Sequence, residues 1–170
     1  IVAAPDGQPK ANLWASIGPD RDGGIVLSGH TDVVPVEGQP WSSDPFTLRD
    51  GGDRWFGRGT SDMKGFIALC LALVPEMLKR DLKTPLHFAF SYDEEIGCLG
   101  APSLIAGIGK RFRQPRIAVI GEPTELKLGT RHKGCYSFTT TVTGKDGHSS
   151  QPERGRNAIL AAAEVATELG

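Results

Sequence analysis

Three mostly apolar runs set the rhythm of the first 120 residues. They are Ile25-Val26-Leu27, Leu86 to Tyr92 and Arg116 to Ile120. Runs this short, bounded by small and polar residues, predict strands covered on both faces, as in the middle of a parallel sheet. Between the first two runs the period lengthens. From Met63 to Lys79 apolar residues recur at helical spacing, with Phe66, Leu69, Cys70, Leu73 and Met77 on one face. Pro75 is predicted to kink that helix or mark a change in it. A second helix is predicted over about Gly100 to Phe112. Asn12–Ile17 and Arg54–Phe56 read as short strands, Pro19–Gly24 as a turn, and Gly38–Asp53 as irregular chain in which Trp41, Pro45 and Phe46 pack as a flap. Strands alternating with helices predict an α/β layer with a mostly parallel sheet.

The texture changes after Arg131-His132-Lys133-Gly134. Cys135 to Thr143 alternates, with Tyr136, Phe138, Thr140 and Val142 on one side, and an alanine-rich helical pattern runs from about Arg156 to Glu168. This predicts two domains: residues 1–132, and the start of a second, α+β domain over 133–170. The first residues read as mid-protein sequence and the last as helix interior, so the chain reads as a fragment at both ends.

Composition narrows the classes. The 170 residues carry a net charge of −1, with no basic block, which argues against nucleic-acid or membrane-surface partners. The longest apolar run, Phe66 to Val74, is too short to span a bilayer. Cys70, Cys98 and Cys135 are odd in number and widely spaced, which disfavours a disulfide framework and favours a reducing, cytoplasmic compartment.

The chemistry lies where the apolar runs end. His30 follows the first run, and Asp32 shares its face because side chains of an extended chain alternate. Glu94 and Glu95 follow the second run and Glu122 the third, while Asp62 sits in a glycine-rich loop before the helix. Each has an ordinary reading in isolation: a loop-end histidine, a solvated acidic loop, a charged strand end, a helix N-cap. Ligands in parallel sheets bind at the carboxyl ends of strands, and His30, Glu94, Glu95 and Glu122 directly follow strand patterns. One imidazole with several carboxylates and no thiolate suits zinc, cobalt or manganese; an all-oxygen calcium site has no use for a histidine. Adjacent glutamates allow one to ligate while the other takes a proton from water.

Four motifs carry a resemblance: Gly29-His30-Thr31-Asp32-Val33-Val34-Pro35, Gly57-Arg58-Gly59-Thr60-Ser61-Asp62-Met63-Lys64-Gly65, Asp93-Glu94-Glu95 and Gly121-Glu122-Pro123-Thr124. In order and approximate spacing they resemble the dinuclear-zinc peptidase/deacylase family of acetylornithine deacetylase, succinyl-diaminopimelate desuccinylase, aminoacylase and carboxypeptidase G. The resemblance covers essentially the whole chain. It implies a zinc-peptidase-like catalytic domain joined to a lid and dimerisation domain, two divalent ions (zinc or cobalt), and a small-molecule N-acyl amino acid as substrate. It implies that His30 and Glu122 hold one metal, that Asp62 bridges, and that Glu95 holds the other. Glu94 would be the general base and Asp32 the carboxylate that orients His30. The family's last ligand, a late histidine, has no match before Gly170: His87 lies inside a strand pattern, and His132 and His148 come too early. His148, in Gly147-His148-Ser149-Ser150, matches a lid histidine that reaches the partner subunit's site and stabilises an oxyanion, in a homodimer of the full-length protein. The family also carries a cis peptide after the bridging aspartate, here Asp62–Met63. Within the family, Asp44-Pro45-Phe46, His132-Lys133-Gly134 and the segment from His148 to Ile159 resemble the deacetylase branch, which implies release of acetate from N2-acetyl-L-ornithine in arginine biosynthesis. The alternatives are an N-succinyl diamino acid or another N-acyl amino acid as substrate, or a homologue that keeps the fold without catalysis.

Overall fold

In a computed structural model of the chain, which describes residues 1–131, 133–134 and 136–169, two compact units are present: Ile1–Leu128 and Gly129–Gly170. His132 and Cys135 lie outside the described residues.

The first unit is built on a five-stranded sheet. Its strands are β1 (Val2–Ala3), β2 (Ala11–Ile17), β3 (Ile25–His30), β6 (Leu86–Ser91) and β7 (Ile117–Ile120), in the spatial order β1-β2-β6-β3-β7. Strands β6, β3 and β7 run parallel, while β1 and β2 add antiparallel at one side. β4 (Arg49–Asp50) and β5 (Trp55–Phe56) form a separate two-stranded ribbon. The register Leu27↔Phe88 and His30↔Ser91 brings the carboxyl ends of β3 and β6 level, and Ile120↔Ser28 leaves β7 two residues short of them.

The expectation of strands covered on both faces holds for β3 and β6. On one face, helix α1 (Lys64–Leu78) lays Ile67 and Cys70 against Phe88 and Phe90, with Leu27, Phe66, Val74 and Met77 around them. On the other, Val26 and Ala89 meet Leu104 of the short helix α2 (Ala101–Ile105), with Trp14 and Phe112 stacked alongside at 4.7 Å. Burying each phenylalanine contributes about 1.5–3 kcal/mol. His87 is fully buried between these layers, its Nδ1 2.7 Å from the Ser16 hydroxyl. That contact satisfies it inside the strand, in keeping with the sequence.

Four expectations need correction. Leu69 and Leu73 are 63% and 52% exposed, so the packed stripe of α1 is Phe66, Ile67, Cys70, Val74 and Met77. The helix is leucine-rich on nearly every face, and spacing alone did not identify the stripe that meets the sheet. The predicted second helix stops at Ile105, because Gly107 and the positive-φ Gly109 turn the chain before Phe112. β7 is exposed at all four residues because, among the described residues, it has a neighbour on one side only. Phe46 in the expected flap is 67% exposed, whereas Trp41 lies under the Arg58 guanidinium at 5.2 Å.

The second unit contains helix α3 (Ala158–Leu169) and an antiparallel bridge between Lys145 and Arg156. The alternating residues 136–143 form no strand, since alternation makes a ladder only where a partner strand supplies hydrogen bonds. No described helix is long and apolar enough to cross a membrane.

Candidate metal centre

Three parallel strands deliver the acidic residues to one end of the sheet. β3 ends at His30, in the middle of the sheet and 2% exposed. On one side β6 runs into Asp93, Glu94 and Glu95; on the other, β7 runs through Gly121 to Glu122. The Gly121 N–H donates to the Ser28 carbonyl at 3.1 Å, carrying the ladder one residue past β7 and setting Glu122 beside His30. Gly121 must lack a side chain, since a Cβ there would sit 2.1 Å from the Phe66 ring.

Asp62 arrives from a different direction, in the turn that precedes α1. The N-cap of α1 is Met63, with no side-chain capping bond, so Asp62 is not a helix cap. Gly65 lets this turn close: a Cβ there would meet the Thr60 carbonyl at 2.2 Å. The Asp62–Met63 peptide is cis, as the resemblance implies. Met63 is wholly buried, and its sulfur accepts the His30 N–H at 3.3 Å.

The cluster closes on the imidazole. His30 Nε2 lies 3.0 Å from Asp62 Oδ1, 3.8 Å from Glu122 Oε1 and 3.9 Å from Glu94 Oε2. Donor atoms of His30, Asp62 and Glu122 fall within 4.8 Å of one another, as do those of His30, Glu94 and Glu95. Five of the seven residues singled out in the sequence thus surround a single point, with Asp32 behind it. Asp32 sits differently from the expected carboxylate–histidine pair. Its backbone carbonyl meets His30 Nδ1 at 3.0 Å, while its carboxylate Oδ1 stands 3.5 Å away and accepts no hydrogen bond among the described residues. Oδ2 accepts the Glu95 N–H at 3.0 Å, so Asp32 ties the β3 and β6 loops together. His148 lies in the other unit, exposed, with Nδ1 2.8 Å from the Ser150 hydroxyl.

The protonation logic of this centre calls for a cation. A carbonyl oxygen only accepts, so Nδ1 of His30 must donate to Asp32. Neutral imidazole then presents its Nε2 lone pair to Asp62 at 3.0 Å, lone pair against lone pair. Only a proton or a metal on Nε2 turns that contact favourable, and a metal-bound imidazole with its other nitrogen on a carbonyl is the usual arrangement. The pKa shifts carry the same message. Burial opposes charge on His30, but the Asp32 carbonyl, the Asp62 carboxylate and the charges of Asp32 and Glu122 outweigh it and hold the imidazole above its ordinary value. Burial, then the Asp62 charge, pushes Glu95 and Glu122 up. Burial also opposes charge on Asp32, yet hydrogen bonds from the 94–95 backbone hold its carboxyl below the usual range. Crowded carboxylates that resist ionising together, facing a nitrogen that needs a positive partner, fit divalent ions as ligands.

Sequence reasoning passed over Met63 as a support for His30; its place directly after Asp62 was the available signal. It also gave no role to Lys10 and Asn12, both of which contact the loop that bears Glu94 and Glu95.

A sequence profile of peptidase family M20/M25/M40 matches residues 26–170. Acetylornithine deacetylase of Yersinia pestis is 42% identical over 99% of this chain, and that of Proteus mirabilis (strain HI4320) 40% identical over 99%. The chain spans 44% and 43% of those proteins' lengths. Among solved structures, human carnosine dipeptidase 1 matches with a TM-score of 0.55 at 29% identity, covering 64% of this chain and 24% of that one. An M20 family metallo-carboxypeptidase, Sso-CP2 from Sulfolobus solfataricus, shares the fold with a TM-score of 0.56 at 23% identity, covering 65% and 25%.

Proposed function

This chain belongs to peptidase family M20/M25/M40, and from that premise we propose that the full-length protein is a metal-dependent hydrolase of N-acyl amino acids, with N2-acetyl-L-ornithine as substrate. The observation that carries the proposal is the convergence of His30, Asp62, Glu122, Glu94 and Glu95 at the carboxyl ends of three parallel strands. The substrate rests on similarity to proteins named acetylornithine deacetylase at about two-fifths identity. Arginine biosynthesis is the process such a reaction serves.

In this proposal His30 and Glu122 would hold one divalent ion and Glu95 the second, with Asp62 as a ligand held in common, and zinc or cobalt would suit a site of one nitrogen and several oxygens. When bound, the ions polarise the amide carbonyl and make water acidic enough to lose a proton near neutral pH. Glu94 accepts that proton as the water oxygen bonds to the acyl carbon, then delivers it to the departing amine nitrogen as the C–N bond breaks. Acetate and ornithine leave. Asp32 holds the imidazole through its carbonyl and the Glu95 backbone through its carboxylate, so metal-site geometry and base position are set together. His148 of the partner subunit donates to the developing oxyanion. Residues 1–132 form part of the catalytic domain and 133–170 begin the lid and dimerisation domain of a cytoplasmic homodimer.

Glu94→Gln tests the division of labour between the two glutamates. The full-length variant is expected to keep its metal and lose turnover by about 10²–10⁴-fold, the range for removing a general base. Loss of metal together with activity would show that Glu94 is a ligand. An N-succinyl diamino acid is the competing substrate, and faster turnover of N-succinyl-diaminopimelate than of N-acetylornithine would replace the assignment.

A further inference from the structure

The segment from Tyr92 to Gly100 carries Glu94 and Glu95 and is a closed loop. Gly100 N–H returns to the Tyr92 carbonyl at 3.2 Å, Leu99 N–H to Asp93 at 2.9 Å, and the N–H groups of Gly97 and Cys98 to Glu94 at 2.9 Å. Asp93 and Cys98 adopt positive φ of 53° and 57°, a region side chains other than glycine enter at a cost. Such a loop needs support from outside itself.

That support comes from the start of β2. Asn12 is 1% exposed, and its amide is saturated by the two ends of the loop. It donates to the Gly100 carbonyl at 2.8 Å and to the Ser103 hydroxyl at 2.9 Å, and its oxygen accepts the Tyr92 N–H at 3.3 Å. A Cβ on Gly100 would stand 2.8 Å from that same oxygen, so the approach admits nothing larger than glycine. Two residues earlier, and so on the same face, Lys10 Nζ meets Asp93 Oδ2 at 2.6 Å, with the Asp93 side chain 14% exposed. On the site side, Asp32 holds the Glu95 N–H. Lys10 and Asn12 both precede residue 26, where the family profile begins to match.

We propose that Lys10 and Asn12 are positioning residues that grip the Tyr92–Gly100 loop from behind and thereby hold Glu94 and Glu95 at the distance from His30 that hydrolysis needs. The inference rests on the roles given above to those glutamates. An ordinary core amide and a surface ion pair would stabilise the fold without touching the reaction; a clamp governs the loop. Small displacements of a catalytic group cost far more in rate than in substrate affinity.

The test uses the full-length, metal-loaded protein with Lys10→Ala, Lys10→Arg and Asn12→Ala, read by steady-state kinetics and by hydrogen exchange of the 92–100 segment. Lys10 is 38% exposed at its side chain, so its variants are expected to stay folded. Lys10→Ala is expected to speed exchange of the loop amides about tenfold and to lower kcat by about the same factor with KM within about twofold. Lys10→Arg restores most of both. Asn12→Ala gives a larger effect of the same kind if it folds. Unchanged loop exchange in Lys10→Ala, or faster exchange with wild-type kcat, overturns the clamp. A wild-type protein inactive on every N-acyl amino acid would instead sink the proposed function, and loop exchange alone would then decide the clamp.

Discussion

His30 illustrates how one hydrogen bond can dictate a site's chemistry. With Nδ1 committed to the Asp32 carbonyl, Nε2 requires a positive partner. In metal-free protein a proton fills that place, and stability acquires a pH dependence whose sign follows from the shifts. Glu95 and Glu122 have raised pKa values when folded, so the folded state binds more protons than the unfolded one. Their contribution is present below the ordinary glutamate pKa and lost as pH rises through the raised one. His30, also raised, repeats this in the next window up. Asp32, lowered, acts oppositely: its contribution is present above the unfolded aspartate pKa and lost as pH falls through the folded value. Thermal unfolding with chelator present is therefore expected to show a melting temperature that falls as pH climbs from the ordinary glutamate pKa through the ordinary histidine pKa, and saturating zinc should reverse that slope. A chelated protein that gains stability across the same range would contradict the assignment. His30→Ala, which removes the imidazole nitrogen from the cluster, is expected to abolish binding of at least one ion, measured as metal per chain after gel filtration.

At the scale of elements, the loop–helix junction and the strand ends depend on backbones coming unusually close. Gly121→Ala places a methyl group against the Phe66 ring and is expected to cost about 1–3 kcal/mol. Adding Phe66→Leu should return part of it, so the two changes should be non-additive in a double-mutant cycle. Additive losses would mean the ring is not what limits the site. These junctions also mark how far the sequence could be read. Strand β6, helix α1 and the strand-end placement of His30, Glu94, Glu95 and Glu122 were legible because apolar runs and helical spacing report burial directly. The exposed leucines of α1 were misplaced because that helix is apolar nearly all round, and the sheet, not the spacing, selects a face. Strand β7 was expected to be buried because composition reports hydrophobicity and says nothing of how many neighbours a strand finds. Asn12 was invisible for a related reason: its partners lie about 80 to 90 positions away, and nothing local marks an amide as a strut.

The whole molecule sets the boundary of the chemistry. The chain spans less than half the length of the curated relatives it matches, and among the described residues the donors gathered at His30 include a single nitrogen. The 170-residue chain alone is expected to show no steady turnover of N-acetylornithine, and sustained hydrolysis by the purified chain would contradict the proposed need for His148 of a partner subunit. Its exposed leucines, among them Leu69, Leu71, Leu73 and Leu78, are expected to drive self-association, visible by light scattering at micromolar concentration. The register that levels β3 with β6 has a last consequence. The donor atoms come from positions 30 to 122, and no two neighbouring elements own them all, so no local fragment of chain can chelate early. Cobalt added during refolding should keep the weak, pale-pink absorption of a six-coordinate aquo ion until the strands have zipped together, and the rise of a stronger visible band from a lower-coordinate, protein-bound ion would then time the closing of the sheet.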